Sequence, residues 1–421
     1  MSGRPGARWS AGGAARPSAA SPREPALTGL RAVAAILVVS THAAFATGYL
    51  SQGYLGAVSA RLEIGVAIFF VLSGFLLFRP WVRAAAEDRP APSVRRYGRH
   101  RVRRIVPAYL ITVVAAFEVY TVFTPGPNPG QTWEGLLRHL TLTQIYTDDY
   151  AATLLHTGLS QMWSLAVEVS FYLALPAFAF LLLRVLCRDR WQPRRALTGI
   201  ALLAAVTPGW LVVVAATDVL PNSAGMWLPA HLAWFAGGMA LAVLETIAAR
   251  CSAIVAIPTA AVLYLIVSTW VGGTFDGPDP AWTPVAKSML YAAIATLVVA
   301  PLALGSRDSY HRVLASRPMV WLGEISYEIF LVHVVVMALT MHVVLDWPLF
   351  TGSTPGLIAA TLAFSVPVAW LLHRVTRPQT SDRSAGSSAE SALPRCDAAS
   401  FSAGVSSAAV LAEAAGRNTG S

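Results

Sequence analysis

An all-α membrane bundle of about ten transmembrane helices, with both termini cytoplasmic, is the fold the sequence predicts. Three observations carry it. Of 421 residues, 55% are hydrophobic and 13% charged, with mean hydropathy +0.55; a soluble domain averages about 25% charged residues. Ten apolar runs are each long enough to cross about 30 Å of hydrocarbon. Arginines gather in every second connection, as cytoplasmic loops do. This composition excludes a disordered chain, a coiled coil and an ordinary cytosolic enzyme.

The runs lie at roughly 27–48, 62–80, 105–123, 163–186, 196–217, 227–247, 254–272, 284–305, 320–345 and 354–374. Each must satisfy its own backbone in lipid, so each is a helix unless the chain closes a barrel. The runs are too long and too rich in Ala and Leu for barrel strands. The first run follows 26 residues without a hydrophobic segment, so an uncleaved anchor is expected rather than a signal peptide. The N-terminal tail holds Arg4, Arg8, Arg16 and Arg23. Between the second and third runs stand Arg79, Arg83, Arg89, Arg95, Arg96, Arg99, Arg101, Arg103 and Arg104. Arg184, Arg188, Arg190, Arg194 and Arg195 follow the fourth run, Arg250 the sixth, and Arg307, Arg312 and Arg317 the eighth. The alternate connections carry Arg61, Arg138 and Lys287 among Glu134, Asp148, Asp149, Asp218, Asp276, Asp279 and Asp346. That asymmetry gives an even number of spans with both ends inside.

The expected organisation is a cytoplasmic tail at 1–25, a membrane domain at 26–378 and a Ser-, Ala- and Gly-rich tail at 379–421, read as disordered. The longest outer connection, 124–161, is aromatic and mildly amphipathic, and is expected to fold over the outer mouth. No internal repeat of the transporter kind is visible. The net charge of +9 follows from the cytoplasmic loops, and no nucleic-acid partner is expected. Cys187, Cys251 and Cys396 are far apart and imply neither a disulfide framework nor a zinc site. No metal motif, phosphate-binding glycine loop or nucleophile elbow is present.

Chemistry inside the membrane concentrates in a few positions. Arg31 and His42 are eleven residues apart in the first run. At 100° per residue they share a helix face, about 16 Å apart along the axis. Arg31 is expected near the cytoplasmic surface and His42 near mid-membrane. An ionisable group at that depth is a functional position by default, although a histidine bonded to a neighbouring helix fits equally. A histidine suits proton transfer near neutrality, and a carboxylate would fix its tautomer. Glu168, in Trp163-Ser164-Leu165-Ala166-Val167-Glu168, is the best intramembrane partner; the alternative is a glutamate snorkelling to the interface.

Arg101 and Arg104 end the most basic loop and open the third helix. Three apart, they are neighbours on one face and suited to grip a polyanion; lipid headgroups or simple topology signalling are the alternatives. Gly65 to Phe75 reads as a close-packing stretch, with Ser73 a minor site position. His333, in the ninth run, reads first as structural. His231, His342 and His373 lie near span ends and receive no role, and Asp148-Asp149 reads as solvated loop.

Taken together, these segments resemble the bacterial integral-membrane acyltransferase 3 family. The motifs fall in that family's order: Gly29-Leu30-Arg31-Ala32 followed by His42; Phe69-Phe70-Val71-Leu72-Ser73-Gly74-Phe75; Arg101-x-x-Arg104 before Ile105-x-Pro107-x-Tyr109; Trp163-Ser164-Leu165-x-Val167-Glu168 before Phe171-Tyr172-Leu173; and Ile325-Ser326-Tyr327 before His333. The resemblance spans about residues 26–378. It implies a multi-pass O-acyltransferase of the bacterial plasma membrane. Such an enzyme moves an acyl group, often acetyl, from acyl-CoA to a hydroxyl of a glycan, glycolipid, peptidoglycan or macrolide. Acyl-CoA would be a co-substrate, with no bound cofactor and with membrane lipids as the surrounding partner. It further implies that His42 is the catalytic histidine, that Glu168 supports it, and that Arg31, Arg101 and Arg104 engage the CoA side. Ser73, Trp163 and His333 are added from the residue reading as supporting candidates.

The chain departs from the family pattern at Thr28 and Ala67, where Asp is frequent, and at Thr376-Arg377-Pro378, where Glu often precedes Pro. It is expected to be the stand-alone form, without a fused hydrolase-like domain. Without the resemblance, a proton-coupled transporter fits buried His, Glu and Arg nearly as well.

Overall fold

The computed structural model describes residues 24–147, 155–188, 190–273 and 279–377. Residues 1–23 of the expected N-terminal tail, all of the expected tail at 379–421 with Cys396, and Asp148, Asp149 and Asp276 lie outside the described residues; Glu24 instead caps the first helix and Pro25 begins it. All regular structure among the described residues is helical. In chain order the helices are α1 (Pro25–Ala46), α2 (Gly53–Ala60), α3 (Ile64–Ala86), α4 (Val94–Val122), α5 (Trp133–Leu140), α6 (Met162–Ala179), α7 (Pro193–Ala216), α8 (Leu228–Thr246), α9 (Ala253–Val267), α10 (Thr283–Ala303), α11 (Ser309–Leu314), α12 (Arg317–Glu324), α13 (Ser326–Leu339) and α14 (Thr354–Thr376). Wider π-helical turns, Phe180–Leu186 and Thr340–Val344, prolong α6 and α13.

Among the described residues nine helices are long and apolar enough to cross a membrane. Each of the ten apolar runs contains a helix, but α9, in the seventh run, has only 15 residues. At 1.5 Å per residue it reaches about 22 Å, short of the hydrocarbon thickness. Arg61 caps its C-terminal end. Its Nε donates to the Val267 carbonyl at 3.1 Å and its Nη2 to the Gly273 carbonyl at 2.7 Å, both buried. A cation is favoured at that end of a helix, where unpaired carbonyls collect. Arg61 is thus a buried cap rather than a loop charge.

The basic connection is also more helical than its composition suggests. α3 continues past Pro80 to Ala86, and α4 begins at Val94, where Ser93 accepts a bond from the Arg96 backbone. Arg101 and Arg104 therefore stand within a continuous helix, with Pro107 inside it.

The core forms where α1, α3, α8, α10 and α13 meet. α3 and α8 approach closely because of glycine. A Cβ on Gly238 would lie 1.9 Å from the Val71 carbonyl oxygen, and one on Gly74 2.2 Å from that of Phe235. Gly238→Val must force these backbones apart. A loss of about 1–3 kcal/mol is expected, read as a lower unfolding midpoint in detergent. Gly209→Ala, with open space around it, serves as the comparison and is expected to be neutral or slightly stabilising. Equal midpoints for the two variants would refute the crossing. On α1, a Cβ at Gly29 would meet the Leu314 carbonyl oxygen at 1.9 Å, so this glycine seats α1 against the chain before α12 and fixes where Arg31 points.

The outer segment after α4 is tied to the bundle through α5. Tyr109 donates to the His139 carbonyl, Gln144 to that of Met162 at 3.1 Å, and Trp227 to that of Ile145 at 2.8 Å. His139 and His156 lie under this segment, both fully buried. His156 Nε2 donates to Gln131 Oε1 at 2.6 Å while its Nδ1 accepts from the Gly158 backbone, so the ring is held neutral. Burial, and then the His139 ring, push His156 down to about 4. Burial also lowers His139. A histidine whose folded pKa lies below its unfolded value of about 6.5 loses its stabilising share as pH falls from 6.5 toward 4. For His156 that share is at most about 3 kcal/mol. Amide exchange in 131–147 is expected to accelerate at pH 5 relative to pH 7, after correction for intrinsic rates; equal protection would refute the coupling.

Candidate active site

A cavity of about 170 Å³ opens between α1, α3, α4, α6 and α13. Arg31, Arg101 and Arg104 line it together with one carboxylate, Glu168. α1 delivers Arg31 two residues beyond the Gly29 contact, and one turn of α4 presents the other pair. The Nε atoms of Arg31 and Arg101 are buried without a hydrogen-bond partner. Glu168 accepts from Ser73 and, at 2.6 Å, from the Tyr172 hydroxyl. Tyr172 also lies beneath the Arg101 guanidinium, 6.0 Å from ring centre to Cζ. Tyr327 donates to the Ile105 carbonyl at 3.0 Å, which pins α13 to α4 beside the arginines. Three guanidiniums against one carboxylate leave an excess of positive charge and of unused donors. Such a set suits a phosphate-bearing ligand.

The other wall is apolar. Val66, Phe69, Phe70, Leu72, Leu76 and Leu77 from α3, with Leu165 and Phe330, provide it. A second space of about 290 Å³ shares Leu76, Leu77 and Arg101 with this cavity and adds Trp81, Arg96 and His100 from the arginine-rich end. The cavity is therefore continued toward the side that the arginines mark as cytoplasmic.

Away from that end, the aromatic wall leads to two histidines. Phe69 and Phe330 meet edge to face at 6.4 Å, Phe330 lies 6.0 Å from the His333 ring, and His333 lies 5.0 Å from the His42 ring. His42 sits four residues before the outer end of α1, in its outer half rather than its middle. Its Nδ1 stands 2.8 Å from the Val38 carbonyl and 3.4 Å from His333 Nε2. A carbonyl only accepts, so Nδ1 carries the proton and Nε2 bears the lone pair. His333 is set in the same way: its Nδ1 donates to the Phe330 carbonyl at 2.8 Å, which turns the Nε2 lone pair toward His42. His333 is completely buried.

The positions read from the sequence thus fall into three groups. Arg31, Arg101, Arg104, Glu168 and Ser73 share one cavity. His42 and His333 form a pair beyond its aromatic end. Trp163 lies elsewhere, against the His231 ring at 5.2 Å in a separate outer space. Glu168 is hydrogen-bonded on the arginine side and not to His42, so the atom that sets the His42 tautomer is the Val38 carbonyl of its own helix. Sequence reasoning did not anticipate the His42–His333 pairing, nor Tyr172 and Tyr327; for the two tyrosines, a polar residue one turn after Glu168 and one turn before Leu331 was the available signal. His373 and the buried Glu328, 3.0 Å apart, form another unforeseen pair, joining α14 to α13.

Comparison with known proteins agrees with this architecture. The chain is similar to the acyltransferase MdmB of Streptomyces mycarofaciens, at 29% identity over 84% of this chain and 90% of that protein. It is similar to the peptidoglycan O-acetyltransferase OatA of Listeria monocytogenes at 25% identity, over 76% of this chain but 50% of that protein. The O-acetyltransferase OatA of Staphylococcus aureus matches at 26% over 46% of this chain and 30% of its own length. No solved structure matches. The model of the acyltransferase 3 family, described as an acyltransferase domain, matches residues 24–374, and this multi-pass membrane protein therefore belongs to that family of acyltransferases.

Proposed function

We propose that the chain is an O-acyltransferase of the bacterial plasma membrane that uses acyl-CoA, with acetyl-CoA the first donor to test. The acceptor is a hydroxyl of a glycan, glycolipid or macrolide-like molecule. The observation that carries this reading is a cation-rich cavity, continued toward the cytoplasmic side, whose aromatic end at Phe69 and Phe330 packs next to a histidine pair of defined tautomer. The CoA phosphates pair with Arg101, Arg104 and Arg31. The pantetheine arm follows the apolar wall past Phe69 and Phe330, and the thioester lies near His42. Arg31 and His42 are about 16 Å apart along α1, so donor recognition and chemistry are served by one helix. The relative named as a peptidoglycan O-acetyltransferase supports a carbohydrate hydroxyl as acceptor.

In the reaction His42 Nε2 removes the acceptor's hydroxyl proton as the oxygen attacks the thioester carbonyl carbon. The C–S bond of the tetrahedral intermediate then breaks. The CoA thiolate takes the proton from Nε2–H, giving the ester and free CoA. Imidazolium formed midway keeps its Nδ1–H bonds to the Val38 carbonyl and to the lone pair of His333 Nε2. The chain needs no bound cofactor for these steps.

The test incubates membranes carrying wild type or His42→Ala with radiolabelled acetyl-CoA and a lipid and glycan extract of the host. Label in a product with wild type alone is the expected result. No product in either case, together with no acyl-CoA binding by the purified protein, would overturn the reading.

A further inference from the structure

A separate cavity of about 280 Å³ lies between the outer ends of α3, α6, α8 and α10. The geometry points to this cavity as the binding site for a neutral, ring-bearing polyol, the acceptor, which enters from the outer face. The inference rests on the acyltransferase reading for the word acceptor, but the site itself does not.

Position is the first argument. Glu63 precedes α3, Trp163 is the second residue of α6, His231 lies in the first turn of α8 and Lys287 in the second turn of α10. All four belong to helix ends that the arginine distribution places outside. The wall toward the donor cavity is one side chain thick. Val66 lines both spaces, and Phe70, in the donor cavity, meets the His231 ring edge to face at 6.0 Å. At the same level Thr41, beside His42, donates to the Ala60 carbonyl at 3.1 Å, three residues before Glu63. The two cavities thus approach each other from opposite faces, near the histidine pair.

Chemistry is the second argument. His231 is buried and lines the cavity; apart from a loose contact with the Gly225 backbone, its ring nitrogens have no hydrogen-bond partner. One ring nitrogen donates and the other accepts, which matches a hydroxyl group. Trp163 and Trp234 flank that ring at 5.2 and 4.6 Å. The Trp234 N–H is already given to the Ser288 carbonyl at 2.9 Å, so this indole offers its apolar face, a surface for the C–H face of a saturated ring. Charge is the third argument. Lys287 and Glu63 pair at 2.5 Å, and Tyr291 adds a bond to the same carboxylate oxygen at 3.0 Å. The lining is balanced, unlike the arginine-rich donor cavity, and favours an uncharged ligand.

Gly225 lines this cavity and has open space where a Cβ would stand, so Gly225→Cys is a tolerated reporter. It would be labelled by a membrane-impermeant maleimide in right-side-out vesicles, with Cys187, Cys251 and Cys396 replaced by serine. Neutral probes are the methyl glycosides of glucose, N-acetylglucosamine and a 6-deoxyhexose; methyl glucuronide is the anionic comparison. Labelling is expected to slow about fivefold when a neutral glycoside stands at four times its dissociation constant, with no slowing by the glucuronide. Adding His231→Ala should abolish protection while leaving labelling and acyl-CoA binding intact. No labelling from outside, no protection by any neutral glycoside, or equal protection by the glucuronide would overturn the site. Protection without acetyl transfer would instead count against the enzymatic reading alone.

Discussion

His42→Ala is expected to lower kcat for acyl transfer by about 10²–10⁴-fold, the usual contribution of a positioned general base, while acyl-CoA affinity stays within about twofold. The split follows from the geometry. The arginines that would hold the donor are beyond the Phe69–Phe330 wall from His42, so deleting the imidazole removes a proton acceptor without touching the phosphate contacts. An interaction made only in the transition state lowers kcat and kcat/KM together. His333→Ala tests the second histidine as a positioning residue. It removes one acceptor for the His42 Nδ1–H but leaves the 2.8 Å bond to Val38, so a smaller loss, about tenfold in kcat, is expected. His333→Asn, which can present an oxygen acceptor, should recover part of it. Steady-state kinetics in detergent or nanodiscs would measure all three. Normal turnover by His42→Ala would end the mechanism. A His333→Ala loss as large as that of His42→Ala would move the base to His333.

Arg101→Ala combined with Arg104→Ala is expected to raise the acyl-CoA KM by about 10–100-fold with a lesser effect on kcat. Hydrogen bonds to charged groups contribute about 1.5–3 kcal/mol each, which converts to that range for one lost phosphate contact and leaves room for compensation by Arg31. The lysine pair is the sharper comparison. Arg101→Lys with Arg104→Lys keeps the charge and removes the planar fork, so an intermediate KM is expected if phosphate is gripped bidentately. If lysine matches wild type, charge alone matters. If the alanine pair leaves both KM and kcat unchanged, these arginines serve lipid or topology and not the donor. Isothermal titration with CoA lacking its 3′-phosphate would separate that contact from the diphosphate.

The sequence by itself determined the class and much of the layout. Hydrophobic run length depends only on the thickness of the bilayer, and the sidedness of the loops only on where arginine is counted, so neither needs tertiary contacts. Arg31 and His42 could be placed on one face because helix periodicity is local. The pairing of Arg101 with Arg104 was legible for the same reason, as was the closeness that Gly74 permits. The fifteen-residue α9 was not legible, because composition continues to Gly272 while the helix stops at Val267, and the cap that lets it stop is Arg61, some 200 residues earlier. The partner of His42 was not legible either. Glu168 has the right charge, but the fold gives its carboxylate to Ser73 and Tyr172, in the cavity that the three arginines line. His333 reaches His42 only because α13 packs beside α1, a contact between residues separated by 291 positions. Nothing local in the sequence marks His231 beyond its place near a span end; it lines a cavity only because α3, α6 and α10 close around it. Local periodicity and the hydrocarbon boundary are properties of the chain and its solvent; which polar side chains meet inside the membrane depends on how helices from distant parts of the chain pack, and that only the tertiary structure decides.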